Sequence, residues 1–107
     1  MASFDDFSKI RLRVGKIIEA EPVDGSSKLY KLQVKVGEEN RILAAGLAQH
    51  YAATDLVGRK VIIVANLEPK KIKGIESNGM LLAAESKEGK VVLLTVAEDI
   101  GDGSDIH

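Results

Sequence analysis

Ile10, Leu12 and Val14 alternate with Lys9, Arg11 and Arg13, the period of two that buries one face of a strand. The phase slips after Gly15: strict alternation would turn Lys16 inward, yet Ile17 and Ile18 are the apolar residues. A bulge or bend at Gly15 repairs the slip, because glycine tolerates the backbone angles it needs. The clearest alternation comes next, with Tyr30, Leu32, Val34 and Val36 on one face and Lys31, Gln33 and Lys35 on the other. Val36-Gly37-Glu38-Glu39-Asn40 has turn chemistry, so Arg41 to Ala45 is expected to return as a third strand. Leu47 to Tyr51 reads as a short helical turn. Lys60 to Asn66 and Met80 to Ala84 read as strands four and five, with a loop from Leu67 to Gly79 between them.

Three strands, a short helix and two more strands, the first of them long and bent at a glycine, is the order of a Greek-key barrel of the OB type. An up-and-down barrel predicts no helix at that point, and a βαβ sheet needs longer helical segments. The expected fold class is therefore all-β: a five-stranded Greek-key OB-fold barrel with a short helix between strands 3 and 4 and a C-terminal β extension. At 107 residues the chain is one domain, with the barrel over about residues 9–86 and the terminal extension over about 87–107.

Two runs, Val61-Ile62-Ile63-Val64 and Val91-Val92-Leu93-Leu94, are apolar without alternation, which implies that both faces of the strand are covered. Either the terminal extensions of the same chain cover them or a second subunit does. An uncovered edge rich in Val and Leu invites aggregation, and on that ground a homodimer is expected.

The net charge of −1 excludes a basic coat, so any polyanion site has to arise from local clustering. Lys9, Arg11, Arg13 and Lys16 stand together with no acid between Phe7 and Ile18, whereas the tail carries Glu98, Asp99, Asp102 and Asp105. The stretch Leu67 to Gly79 holds Lys70, Lys71 and Lys73 against Glu68 and Glu76. In an OB barrel that stretch connects strands four and five, and Glu21 to Ser27 connects strands one and two. Those two loops, with the face of strands two and three, bind oligonucleotides in such folds, and Lys28, Lys31 and Lys35 lie on or beside that face. A solvated, functionless loop is the competing reading of the same lysines.

The four aromatic residues, Phe4, Phe7, Tyr30 and Tyr51, are too few for a base-stacking platform of the single-strand-binding kind. Phe4 and Phe7 have the spacing of an amphipathic opening turn and are expected in the core, as is Tyr30. A folded RNA read through phosphates, 2′-hydroxyls and a few exposed bases fits this composition better.

The absence of cysteine removes thiolate catalysis and cysteine-built metal sites. His50 and His107 have no partner at metal-ligand spacing, Gly101-Asp102-Gly103 lacks the rest of a dinucleotide fingerprint, and Ser77 has only an adjacent Glu76. No enzyme, cofactor or metal is expected. The opening residues, Met1 to Phe7, are not a signal peptide, and Val61 to Ala65 is far too short to span a bilayer. A cytoplasmic protein is expected.

From Asn66 through Leu67-Glu68-Pro69-Lys70-Lys71-Ile72-Lys73-Gly74-Ile75-Glu76-Ser77-Asn78-Gly79-Met80 to Ala84, the sequence resembles the tRNA-binding domain shared by stand-alone tRNA-binding proteins and appendages of methionyl-tRNA synthetase. Arg13-Val14-Gly15-Lys16-Ile17, Lys28-Leu29-Tyr30 and Ala45-Gly46-Leu47 reinforce it, so that the likeness runs from about Phe7 to Ile106. The resemblance implies an OB fold, non-catalytic binding of tRNA by its tertiary shape in support of aminoacylation, and dimers among some members. It also implies tRNA contacts from Lys28, Ser77 and Met80. Asn66, Lys70, Lys71 and Lys73 fall within the same motif. Ser77 as a turn residue and Met80 as core filler are the structural alternatives. The segment Pro22-Val23-Asp24-Gly25-Ser26-Ser27-Lys28-Leu29 departs from the family's Pro-x-Ala-Asp-Lys-Leu turn. Methionyl-tRNA synthetase is an implied partner. The second functional reading is a protein-interaction module on the same barrel, resembling a secretion chaperone or a scaffold.

Overall fold

The computed structural model describes residues 1–107. After a capped opening helix, α1 (Phe4–Ser8), come three antiparallel strands, β1 (Leu12–Pro22), β2 (Tyr30–Val36) and β3 (Glu39–Ala45). A short helix, α2 (Ala53–Leu56), precedes β4 (Lys60–Val64). Next are the small strands β5 (Lys70–Ile72) and β6 (Ile75–Ser77), then β7 (Met80–Leu81), β8 (Ala83–Glu85), β9 (Val91–Leu93) and β10 (Asp105–Ile106). The principal sheet runs β3-β2-β1-β4-β7, with β10 added to β1. This is the all-β, OB-type barrel expected from the strand order.

β1 is long because it serves two partners. Leu12 to Lys16 pairs with β4, and Lys16 to Pro22 pairs with β2. The register of β1 slips between Ile17 and Glu19, at Ile18, rather than at Gly15 as the alternation suggested. Gly15 has a different task. A Cβ built there would lie 2.6 Å from Val34 Cγ1, so the missing side chain lets β2 fold across β1. Gly15→Ala is expected to overpack this crossing and cost about 1–3 kcal/mol, read as a lowered thermal midpoint.

Ile17, Leu32, Val34, Leu43, Val61 and Ile63, with Leu56 from α2, form the fully buried centre of the core, and Tyr30 and Leu93 close its ends. Every apolar position of the β2 alternation is buried. Val14, Ile62 and Val64 are buried as well, outside this cluster. Val14 lies opposite Ile62, and Val64 opposite Leu12, so these residues share the other face of the sheet. The double burial expected of Val61 to Val64 is thus achieved within one chain, without a second subunit.

Three local expectations are revised. The Leu47–Tyr51 segment is a hydrogen-bonded turn, with the N–H groups of His50 and Tyr51 both donating to the Leu47 carbonyl, and the helix itself lies further on, at Ala53–Leu56. The fifth strand is broken at Leu82: β7 pairs with β4, and β8 leaves to pair with β9. Phe4 and Phe7 are not in the core, being 80% and 48% exposed; α1 is only five residues long and has no buried residue.

The tail seals β1 where β2 does not reach it. The Val14 N–H donates to the Ser104 carbonyl at 2.9 Å, and the Gly103 N–H donates to the Val14 carbonyl at 2.7 Å. Leu12 and Arg13 then pair with Ile106 and Asp105, which removes an open strand edge.

Candidate nucleic-acid interface

The segment expected as a plain loop contains a β-hairpin. Lys70, Lys71 and Ile72 pair with Ser77, Glu76 and Ile75, and Lys73-Gly74 makes the turn with φ of 49° and 81°. Two consecutive positive φ angles match the tight turn that follows the natural twist of a hairpin, a place usually filled by Asn-Gly or Asp-Gly. Lys73 is the only non-glycine residue of the chain in this left-handed region, at a cost of about 1–2 kcal/mol. The sequence therefore keeps a lysine at the exposed tip where asparagine would be easier to accommodate.

Two hydrogen bonds lash the hairpin to the barrel. The Ala44 N–H donates to Ser77 Oγ at 3.0 Å, and the Asn78 N–H donates to the Ile42 carbonyl at 2.8 Å. Chain direction is opposed across these contacts, so the hairpin heads for the Gly46–Ala48 end of β3. Lys28 is at that same end, because its carbonyl accepts from the Ala48 N–H at 3.0 Å. β2, β3, β6 and β5 thus lie side by side, with Lys28 at one margin and Lys70 at the other. A groove of about 540 Å³ beside the hairpin is lined by Ala44, Leu67, Lys70, Ile72 and Met80.

The sequence candidates divide into two groups here. Lys28, Lys70, Lys71 and Lys73 are exposed. Met80 is 48% exposed on the groove, which excludes its reading as core filler. Ser77, by contrast, is buried, and its hydroxyl accepts from Ala44 and donates to the Gly79 carbonyl. Both ends of the Asn66 amide are also engaged: Oδ1 accepts from the Arg11 N–H at 2.8 Å, and Nδ2 donates to the Lys9 carbonyl at 2.7 Å. Ser77 and Asn66 therefore hold the two ends of the segment that carries the lysines.

Charge pairing sharpens the division. The acidic tail draws its partners from three strands: Asp105 pairs with Arg11 and Arg13 at the start of β1, Asp102 with Lys35 of β2, and Asp99 with Lys60 of β4. Lys31, expected to join the candidate patch, pairs with Glu21 at 3.8 Å, and Lys35 is turned to the tail. Lys28, Lys70, Lys71 and Lys73 have no ion-pair partner. Lys16, Lys87 and Lys90 are unpaired as well, so what sets the hairpin apart is the density of unpaired lysine between Lys70 and Lys73, with Lys28 at the loop end beside it.

Tail docking is sensitive to acid. The hydrogen bond from Lys60 and its charge hold the Asp99 carboxyl below the ordinary carboxylate value. Burial pushes the Asp102 carboxyl up, but the hydrogen bonds from Lys35 and the Gly37 N–H, with the charges of Lys35 and Lys60, outweigh it and leave that group lowered too. Groups lowered by folding stabilise the folded state above their unfolded value of about 3.9, and that stabilisation is lost as pH falls through the folded values. Protection of the Val14 and Gly103 amides against hydrogen exchange, taken relative to their intrinsic rates, is therefore expected to fall below about pH 4, ahead of that of the buried β2 amides.

No group of three or more His, Asp or Glu residues is placed to hold a metal ion, His50 is exposed, and no helix is long and apolar enough to cross a membrane. Sequence reasoning missed the cation–π placement of Arg59 over the Tyr51 ring, 5.3 Å from guanidinium carbon to ring centre. Those residues stand eight positions apart in a turn-rich stretch without periodicity.

A curled β-barrel sheet carrying a lysine-rich hairpin defines a polyanion-binding module, and the family comparison agrees. The model of the putative tRNA binding domain matches residues 12–105, and the chain belongs to that family. It is 55% identical to a methionine–tRNA ligase of Caldanaerobacter subterraneus over 97% of its own length, and 51% identical to that of Methanocaldococcus jannaschii over 92%. It spans only 16% and 15% of those proteins. Among solved structures, a MetRS-related protein from Pyrococcus horikoshii superposes with a TM-score of 0.94 at 39% identity, covering 100% of this chain and 98% of that one. The chaperone CsaA from Bacillus anthracis gives 0.90 at 30% identity, covering 100% and 99%.

Proposed function

We propose that this chain binds folded tRNA, without itself catalysing a reaction, and so raises the local tRNA concentration for methionine–tRNA ligation in the cytoplasm, as a partner or a part of the ligase. The observation that carries this reading is the placement of the unpaired Lys28, Lys70, Lys71 and Lys73 at one end of the barrel, while Arg11, Arg13, Lys35 and Lys60 are occupied by the tail. Phosphates of a structured RNA are met by these lysines, and Met80 offers an apolar, polarizable contact beside them. Asn66 and Ser77 act by holding the hairpin rather than by touching RNA. Tethering then raises effective concentration without altering the chemistry of ligation.

A titration of unfractionated tRNA at two salt concentrations tests the proposal. Contacts from four lysines should give a log-log salt slope of about −3 to −4, at roughly 0.7 to 0.9 per phosphate, and duplex RNA of equal mass should compete poorly. Equal affinity for both RNAs, or no binding, would remove the reading.

The homodimer belongs to this proposal as well. Phe4, Phe7 and Ile10 stand exposed on a groove of about 520 Å³ that Leu12 and Ile106 complete, and a second copy seated there would cover them. A single-chain sedimentation mass at high concentration would contradict it. The same groove favours the second reading, that of a chaperone-like module holding apolar peptides. Peptide binding with no tRNA binding would select that reading.

A further inference from the structure

A small cleft of about 200 Å³ opens between Tyr51, Arg59, Lys60, Val92, Leu93 and Thr95. Its floor is rigid. The Tyr51 carbonyl accepts from Tyr30 Oη at 2.7 Å, and Tyr51 Oη accepts from the Leu93 N–H at 3.2 Å. Arg59 lies over the ring, and its Nε donates to the Asp55 carbonyl at 2.6 Å. That bond fixes the guanidinium plane and leaves both terminal amino groups without a protein partner, while neighbouring Lys60 is occupied by Asp99 and Ile100.

The cleft also adjoins the lysine end of the barrel. The Tyr51 N–H donates to the Leu47 carbonyl, and one residue further along the same turn the Ala48 N–H donates to Lys28. One turn thus carries both the Lys28 contact and Tyr51, the ring that Arg59 covers.

We propose that Arg59, backed by Tyr51, stacks a single unpaired nucleobase of the bound RNA, with its free amino groups facing the phosphate of that nucleotide. The inference rests on the tRNA-binding reading and names where that RNA presents an exposed base. A guanidinium plane stacks any base by its π-face, so one such platform suffices in a chain poor in aromatics. Lysine cannot replace it, having the charge without the plane.

The test exploits that difference. Arg59→Lys in the full chain preserves net charge, and because the side chain is exposed the thermal midpoint should fall by only a few degrees, from loss of the hydrogen bond to the Asp55 carbonyl. Affinity for unfractionated tRNA is expected to fall about tenfold, within the range for losing one stacked base, with the salt slope unaltered. A stem-loop RNA carrying 2-aminopurine in its loop should show fluorescence quenching with the parent protein and not with the variant. If Arg59→Lys binds tRNA like the parent while Lys70→Glu/Lys73→Glu loses affinity, the stacking inference fails and tRNA binding stands. A tenfold loss accompanied by a shallower salt slope would mark Arg59 as a phosphate contact only and would also overturn it. If neither variant loses affinity, the tRNA reading fails and this inference falls with it.

Discussion

Reversing the charges of Lys70 and Lys73 together is expected to weaken tRNA binding by about 100-fold or more near physiological salt and to reduce the salt slope by about 2. Each lysine–phosphate contact contributes about 0.9 to the slope and therefore roughly fivefold in affinity at 0.15 M salt, and two glutamates add repulsion to the lost contacts. The fold should not suffer, because both side chains are exposed and unpaired. Lys73→Asn makes the complementary case. Asparagine adopts the left-handed conformation at φ 49° more readily than lysine does, so the hairpin should gain about 0.5 kcal/mol in stability while RNA affinity falls roughly fivefold. A variant more stable yet weaker in binding would show that the backbone strain at the tip is retained for its charge. Unchanged affinity in both variants would place the RNA elsewhere.

Gly103→Ala is expected to be the most damaging single-methyl change in the chain, lowering stability by about 3 kcal/mol. Gly103 has φ 88°, and a Cβ there would lie 2.8 Å from both the Cα and the N of Gly37. The new methyl group meets backbone rather than a side chain that could swing aside, and the left-handed penalty of about 1–2 kcal/mol comes in addition to an overpacking cost of about 1–3 kcal/mol. For a domain of this size the thermal midpoint should fall by on the order of 10–20 °C. The tail must leave β1 to relieve the clash, which breaks the Val14 hydrogen bonds and pulls Asp102 from the Gly37 N–H. A midpoint within a degree or two of the parent would mean that the tail contributes little to the barrel.

The parts legible in the sequence are those decided by local periodicity. β2 alternates because one face is core and the other is not, and Tyr30 to Val36 could be read without knowing any partner. The order of strands and helix followed from the same patterns, and the cluster of Lys70, Lys71 and Lys73, though not the hairpin that carries it, announced itself by composition within a long, specific motif. The rest depended on partners far away in the chain. The bulge sits at Ile18 because β1 changes its neighbour from β4 to β2 near Lys16, and no local signal reports that exchange. Phe4 and Phe7 have core-like spacing, but spacing cannot say whether a surface exists to receive them. The tail and the first strand looked like opposed charge clusters; that Asp105 meets Arg11 and Arg13 while Asp102 and Asp99 go to Lys35 and Lys60 required the path of the tail along β1. Ser77 and Asn66 lie in the binding motif by sequence, and only their hydrogen bonds separate scaffold from surface.

The near-balance of charge over the whole chain has a consequence for reach. With little net charge, the molecule projects a weak field into solution, and its unpaired cations act within a screening length of about 8 Å in physiological salt. Such a protein does not gather nucleic acid from a distance, as a strongly basic one would; it grips what is already within touching range. That suits a module whose large relatives carry it on the same polypeptide as an RNA-using enzyme, where proximity comes from the covalent chain and loose adhesion to every passing polyanion would be a handicap.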